Sequence, residues 1–203
     1  VELKIDLVNW KASFQESGIL SLSIQTISPK SGDGGINTSK INDLIREIRD
    51  VNSPMGIESV LLIDADTEMH EHPKGGFSAR DEYLKNKQEG TPFEYFIIPT
   101  HEDDGNLETI LDQIICEKGR DFYTCLTNYV EGLLNLQGDS RPQYIKDNPQ
   151  LTKEKISWYV YMMEGKNKTP YSGLQNAELW NFNSDKLIAL KTFIQSKFST
   201  GTI

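Results

Sequence analysis

An α/β domain is predicted, with a mostly parallel sheet covered by helices on both faces and a helical extension toward the C-terminus. Three observations carry this. Helix-spaced and strand-spaced apolar patterns alternate through residues 1–118. Val60-Leu61-Leu62-Ile63 and Phe93-Glu94-Tyr95-Phe96-Ile97-Ile98 are near-continuous apolar runs, the pattern of strands buried on both faces. Residues 119–203 carry mainly helix-spaced apolar positions, which must be buried somewhere, so they are expected to pack on the 1–118 core as one compact unit.

Val1-Glu2 reads as the tail of a strand, with the expectation that a few residues precede it. Asp6 is placed to cap a helix carrying Leu7, Trp10 and Phe14, which Gly18 stops. Leu20, Leu22 and Ile24 alternate with polar residues as in a strand, and Pro29 to Gly35 is a glycine-rich loop. Thr38 or Ser39 begins a helix with Ile41, Leu44, Ile45 and Ile48 on one face, which Ser53-Pro54-Met55-Gly56 breaks. The two apolar strands follow, the second ended by Pro99.

Beyond them, Leu107, Ile110, Leu111, Ile114 and Ile115 fit a helix, and Phe122 to Leu136 another. Gly138 to Thr152, polar and holding two prolines, reads as a surface excursion or linker. Thr152 is expected to cap a helix carrying Ile156, Tyr159, Val160 and Met163, although its β-favouring aromatics also suit an edge strand. Ser184 is placed to cap a last helix with Leu187, Leu190, Phe193 and Ile194 inward.

A chain of 203 residues buries roughly 70% of its unfolded surface, so its core needs no disulfide or metal to hold it. Hydrophobic content of 37% and charged content of 25% are those of an ordinary globular protein. Cys116 and Cys125 are too far apart for a CxxC pair and read as buried free thiols, which points to a reducing, cytoplasmic setting. A net charge of -9 opposes broad adhesion to nucleic acid or to an anionic membrane, but leaves room for a metal-bridged phosphate contact. No apolar run is long enough to span a bilayer.

In an open parallel sheet, ligands bind beyond the carboxyl ends of the strands. Asp64 and Asp66 stand there, and on an extended backbone their side chains point the same way. Two carboxylates so close repel, and a divalent cation with a taste for oxygen, such as Mg²⁺, keeps both ionised. The plainer role for either aspartate is to cap the following loop. Glu68, Glu102, Asp103 and Asp104 read first as a solvated loop set, with the completion of a metal shell by one of them as the sharper alternative, and Glu108 as a first-turn carboxylate favoured by the helix dipole. His70, His72 and His101 lie in loops near Asp66, where a transition-metal site is the sharper reading and surface residues the commoner one. Trp158, Tyr159 and Tyr161 suit base stacking less well than a helix core.

The opening Val1-Glu2-Leu3-Lys4-Ile5-Asp6 resembles the VEGxxD start of TOPRIM domains, with Asp64-Ala65-Asp66 standing where that family has its DxD. Glu2 precedes Asp64 by 62 residues, room for the helix, strand and helix the family pattern needs. Leu3 departs from the family glycine, which would let backbone approach a phosphate closely. Phe96-Ile97-Ile98-Pro99, then Gly105-Asn106-Leu107-Glu108, and the closing Trp180-Asn181-Phe182, are similar to a bacterial group of TOPRIM-like proteins without an established activity.

The resemblance implies a TOPRIM- or Rossmann-like fold and Mg²⁺-dependent phosphodiester chemistry on nucleic acid. Asp64 and Asp66 would hold the ion, with Glu2 sharing it and serving as general acid or base. The competing expectation is a TOPRIM-shaped binding or interaction module without catalysis, serving a protein partner or a homo-oligomer. The acidic balance and Leu3 favour it; Glu2, Asp64 and Asp66 together favour the enzyme.

Overall fold

The computed structural model describes residues 38–56, 59–66, 75–147, 151–165 and 176–198. The helix, strand and glycine loop expected before residue 38 lie outside them, as do His70 and His72. The described residues divide into two compact units, one of 38–107 with 187–198 and the other of 108–186. The described residues are helix-rich α/β, with a small two-stranded parallel sheet in the first unit.

In the first unit, the i, i+4, i+7 spacing of Ile41, Ile45 and Ile48 becomes the buried stripe of α1 (Thr38–Glu47) and of the π-helical turn Ile48–Asn52 that prolongs it. β1 (Val60–Asp64) pairs in parallel with β2 (Glu94–Ile98), Val60 opposite Glu94 and Asp64 opposite Ile98. α2 (Phe77–Gln88) makes the crossover between them. Alternation sends Ile63, Ala65, Tyr95 and Ile97 to one face, where they pack with the α1 stripe and Leu84 of α2.

Phe96 points to the other face and meets Phe193, ring centroids 5.3 Å apart, from the C-terminal helix. Helices thus lie against both faces of β2. β1 departs from the expected burial: Leu62, on the face opposite Ile63, is 40% exposed. The reason is that the covering contact on that face is made over β2.

The second unit is helical, as expected for the C-terminal half. α3 (Leu107–Gln113) passes into it, followed by α4 (Glu117–Leu134), α5 (Gln143–Asp147) and α6 (Thr152–Glu164). Tyr159, wholly buried on α6, stands edge-on to Tyr123 and Trp180 and donates from its hydroxyl to the Leu179 carbonyl at 3.1 Å. Lys155 Nζ lies 2.6 Å from Asp112 Oδ1, which also accepts from the Tyr123 hydroxyl.

The aromatic stretch Ile156–Met163 is helical, as its helix spacing predicts, because Ile156, Tyr159 and Val160 all find burial, and the edge-strand alternative falls away. Three expectations change here. Thr152 is the first helical residue, and the cap position belongs to Leu151, at φ 48°. Residues 138–147 do more than cross the surface, since Ile145 packs with Val130 and Leu151. Cys116 is half-buried and Cys125 exposed, so the pair is not the buried one expected; Cys125 follows α4's outward face.

The last helix, α7 (Ile188–Phe198), returns to the first unit. Ser184 Oγ accepts from Lys186 N at 3.3 Å just ahead of it, the capping role anticipated. Among the described residues no helix is long and apolar enough to cross a membrane.

Candidate functional site

The parallel register places Asp64 at the carboxyl end of β1, level with Ile98. The chain stays extended for one more residue: Ala65 N–H donates to the Ile98 carbonyl at 2.8 Å, and the Ala65 side chain is fully buried. Asp66 then turns into the left-handed region at φ 60°. It exchanges backbone hydrogen bonds with Gly105, Asp66 N donating at 2.6 Å and Gly105 N returning at 2.9 Å. This bridge ties the end of β1 to the loop after β2.

The turn at Asp66 alters the expectation that the two carboxylates share one direction on an extended backbone. They reach separate partners. Asp64 Oδ1 accepts from the backbone N–H of Leu107 at 3.1 Å, the first residue of α3. Asp66 Oδ2 accepts from Arg80 Nη2 at 2.8 Å. Arg80 is 0% exposed, while the Asp66 side chain is 22% exposed.

Arg80 lies in the first turns of α2, and its side chain runs back toward the helix N-terminus. Its Nε donates to the Ala65 carbonyl at 3.4 Å, the same oxygen that accepts from Gly76 N at 2.9 Å. Nη1 is buried without a hydrogen-bond partner among the described residues. Asp104 Oδ1 accepts from Phe77 N at 2.6 Å and fastens the second loop to the start of α2.

Glu68 lies outside the described residues, while Asp103 and His101 have local tasks. Asp103 Oδ2 accepts from the Thr100 hydroxyl at 2.8 Å, and Asp103 N donates back to Thr100 Oγ1 at 3.1 Å. His101, at φ 68°, accepts from Ile97 N at its Nδ1 at 3.0 Å, and its ring stacks on Phe96 at 5.2 Å. That nitrogen is occupied and the ring is part of the aromatic packing, so His101 holds the turn after β2. Glu2 lies outside the described residues.

A family model described as "Protein of unknown function (DUF3226)" matches residues 38–199, most of the chain. The chain belongs to the DUF3226 family. No curated protein and no solved structure matches it. The matched span holds both strands and the Asp64–Asp66 end of β1 in this DUF3226 chain, and begins where α1 begins.

The oxygen donors of Asp64 and Asp66 suit a hard cation, and each carboxylate is oriented through one oxygen by a hydrogen bond, as ligating carboxylates commonly are. Among the described residues no group of three or more His, Cys, Asp or Glu side chains stands together as a metal site. The charge of the pair is offset instead by two groups the sequence pattern did not flag. Arg80 was hidden by its place in a polar helical stretch, 14 residues past Asp66. The Leu107 amide carries no side-chain signal. The one legible hint was Gly75-Gly76, which marks a close backbone approach beside the DxD.

Proposed function

We propose that this DUF3226 chain is a TOPRIM-like enzyme that performs Mg²⁺-dependent chemistry on nucleic-acid phosphodiesters at Glu2, Asp64 and Asp66. The observation that carries the reading is the anchoring of Asp64 and Asp66 at the carboxyl end of a strand in a parallel sheet, where α/β proteins place their ligands. Asp64 and Asp66 would hold the ion, which when bound offsets charge on the phosphoryl oxygens. Asp64 is held by the Leu107 amide and Asp66 by Arg80, so neither carboxylate must be ordered when the ion arrives. Glu2 would move a proton to or from the attacking or leaving oxygen.

A second reading has its own observation. Arg80 already balances the charge of Asp66, so the acidic end is stable without a cation, as in a binding module that keeps the fold and not the reaction. Titration of the full chain with Mg²⁺ and Mn²⁺, read by thermal unfolding, separates the two. The enzyme predicts a saturable rise in Tm that Asp64→Asn abolishes, together with cation-dependent cleavage of labelled single- or double-stranded DNA or RNA. A Tm indifferent to both cations in wild type would leave the binding module standing.

A further inference from the structure

Arg80 is wholly buried, yet its Nη1 finds no hydrogen-bond partner among the described residues. A guanidinium buried with a donor unmet is a poor choice for stability alone, since an apolar side chain of similar volume is often neutral or better in such a place. What an apolar side chain could not do is hold Asp66. We infer, on the reading of Asp64 and Asp66 as ligands of a divalent cation, that Arg80 is a positioning residue: it presents Asp66 to the ion through one carboxylate oxygen and so tilts the site toward Mg²⁺ and away from Ca²⁺.

The planar guanidinium reaches two atoms at once. Nη2 donates to Asp66 Oδ2 at 2.8 Å and Nε to the Ala65 carbonyl at 3.4 Å, so the carboxylate is fixed relative to the backbone just before it. That backbone is itself tied down. The Ala65 carbonyl also accepts from Gly76 N at 2.9 Å, and Asp66 exchanges main-chain hydrogen bonds with Gly105 through both its N–H and its carbonyl.

With the main chain held and Oδ2 engaged, Oδ1 is the oxygen Asp66 has to offer, and it accepts from no donor among the described residues. The side chain is 22% exposed, so an ion can reach it from solvent. Asp64 is restrained in a similar manner, its Oδ1 engaged by the Leu107 amide at 3.1 Å.

Ligands that give a single oxygen suit the smaller ion. Mg²⁺ demands a near-regular octahedron and is held by few carboxylates, with water or phosphate oxygens completing it. Ca²⁺ takes about 6–8 oxygens in a looser shell and readily accepts both oxygens of one carboxylate. A clamp that denies Asp66 the two-oxygen mode therefore costs Ca²⁺ a ligand and costs Mg²⁺ nothing. The positive charge of Arg80 acts differently, because it weakens both divalent ions alike and cancels from the ratio of their affinities. That ratio reads the clamp alone.

Isothermal titration of the full chain with MgCl₂ and with CaCl₂ tests this in wild type, Arg80→Lys and Arg80→Gln. Lysine keeps the charge without the fork, and glutamine gives up both. In each variant the Mg²⁺ to Ca²⁺ affinity ratio should fall by about tenfold, the low end of what losing the partner of a ligating side chain costs. A ratio that stays put or rises overturns the clamp, as does parallel weakening of both ions, which is what a merely structural role produces. A change confined to Arg80→Gln overturns it too, by assigning the effect to charge. Wild type that binds neither ion sinks the metal reading itself, and this inference with it; wild type that binds Mg²⁺ while the ratio stays fixed sinks the clamp alone. A variant unfolded without an ion is titrated by ion-induced refolding, whose two midpoints give the same ratio. Infrared difference spectra of wild type on adding Ca²⁺ need no variant: they should show the carboxylate stretches of one-oxygen ligation, and the two-oxygen signature would overturn the clamp.

Discussion

Arg80 and Asp66 form a half-hidden ion pair: the guanidinium is wholly buried, the carboxylate partly open to solvent, and Nη2 meets Oδ2 at 2.8 Å. The same guanidinium holds the Ala65 carbonyl through Nε. One side chain therefore clamps both the carboxylate and the backbone where the chain turns at φ 60°. Repulsion between Asp64 and Asp66, which on its own would make either one expendable for folding, is offset before any cation arrives.

Removing one partner from this pair should be costly, and unequally so. Asp66→Asn leaves a buried cation without its counter-charge and should destabilise by about 3–5 kcal/mol. Asp64→Asn keeps a side-chain oxygen that can accept from the Leu107 amide and loses only the charge behind that bond, so it should cost about 1 kcal/mol or less. Arg80→Met combined with Asp66→Asn should recover part of the loss, because no charge is then stranded. Urea unfolding of the three variants checks the order; equal costs for the two aspartate variants would mean that the Arg80 pair carries no stability.

Gly119 on α4 is a packing requirement. A Cβ there would meet the Tyr159 ring at 2.8 Å at both Cε2 and Cζ, closer still to the hydroxyl, and Tyr159 is walled in by Tyr123 and Trp180. The ring cannot yield, so Gly119→Ala should destabilise by about 1–3 kcal/mol despite alanine's better helix propensity. Tyr159→Phe in that background removes the nearest atom and should restore part of the loss. A Tm for Gly119→Ala at or above wild type would show that α4 and α6 can slide apart at no cost.

Asp81 and Tyr95 make the stability of the first unit depend on pH at both ends. Burial pushes the Asp81 carboxyl up, but hydrogen bonds from Lys85 and from the Tyr95 hydroxyl, the latter at 2.7 Å, outweigh it and hold the group below its usual range. A depressed acid contributes stability present above the unfolded pKa of about 3.9 and lost as pH falls through the folded value. Burial, and then the Asp81 hydrogen bond, push the Tyr95 phenol up. Its contribution is intact below the unfolded pKa of about 10 and is lost as pH rises beyond it. Asp81→Asn should therefore be less stable than wild type at pH 7 by about 1 kcal/mol, with the gap closing below about pH 4. A gap that persists undiminished into acid would assign the loss to packing alone.

The chain's own pattern determined where the regular elements of the first unit lie. The stripe Ile41, Ile45, Ile48 and the runs ending at Ile63 and Ile98 can be buried in only one way each, because helix and strand periods fix which side chains share a face. It also marked Asp64 and Asp66, since a strand that ends in acids advertises its carboxyl end. What those acids do there was decided by tertiary contacts between distant positions: Asp66 with Arg80, Asp64 with the Leu107 amide, Phe77 N–H with Asp104. A backbone amide has no letter in the sequence, and an arginine in a polar helical stretch reads as solvated until folding buries it. The same holds for Ile145, whose polar neighbours conceal its burial, and for Gly119, whose necessity exists only once Tyr159 arrives from another helix. Periodicity is a local property and survives in one dimension. Pairing of a charge, capping of an amide and the space left for a ring depend on residues the chain brings together only after it has folded.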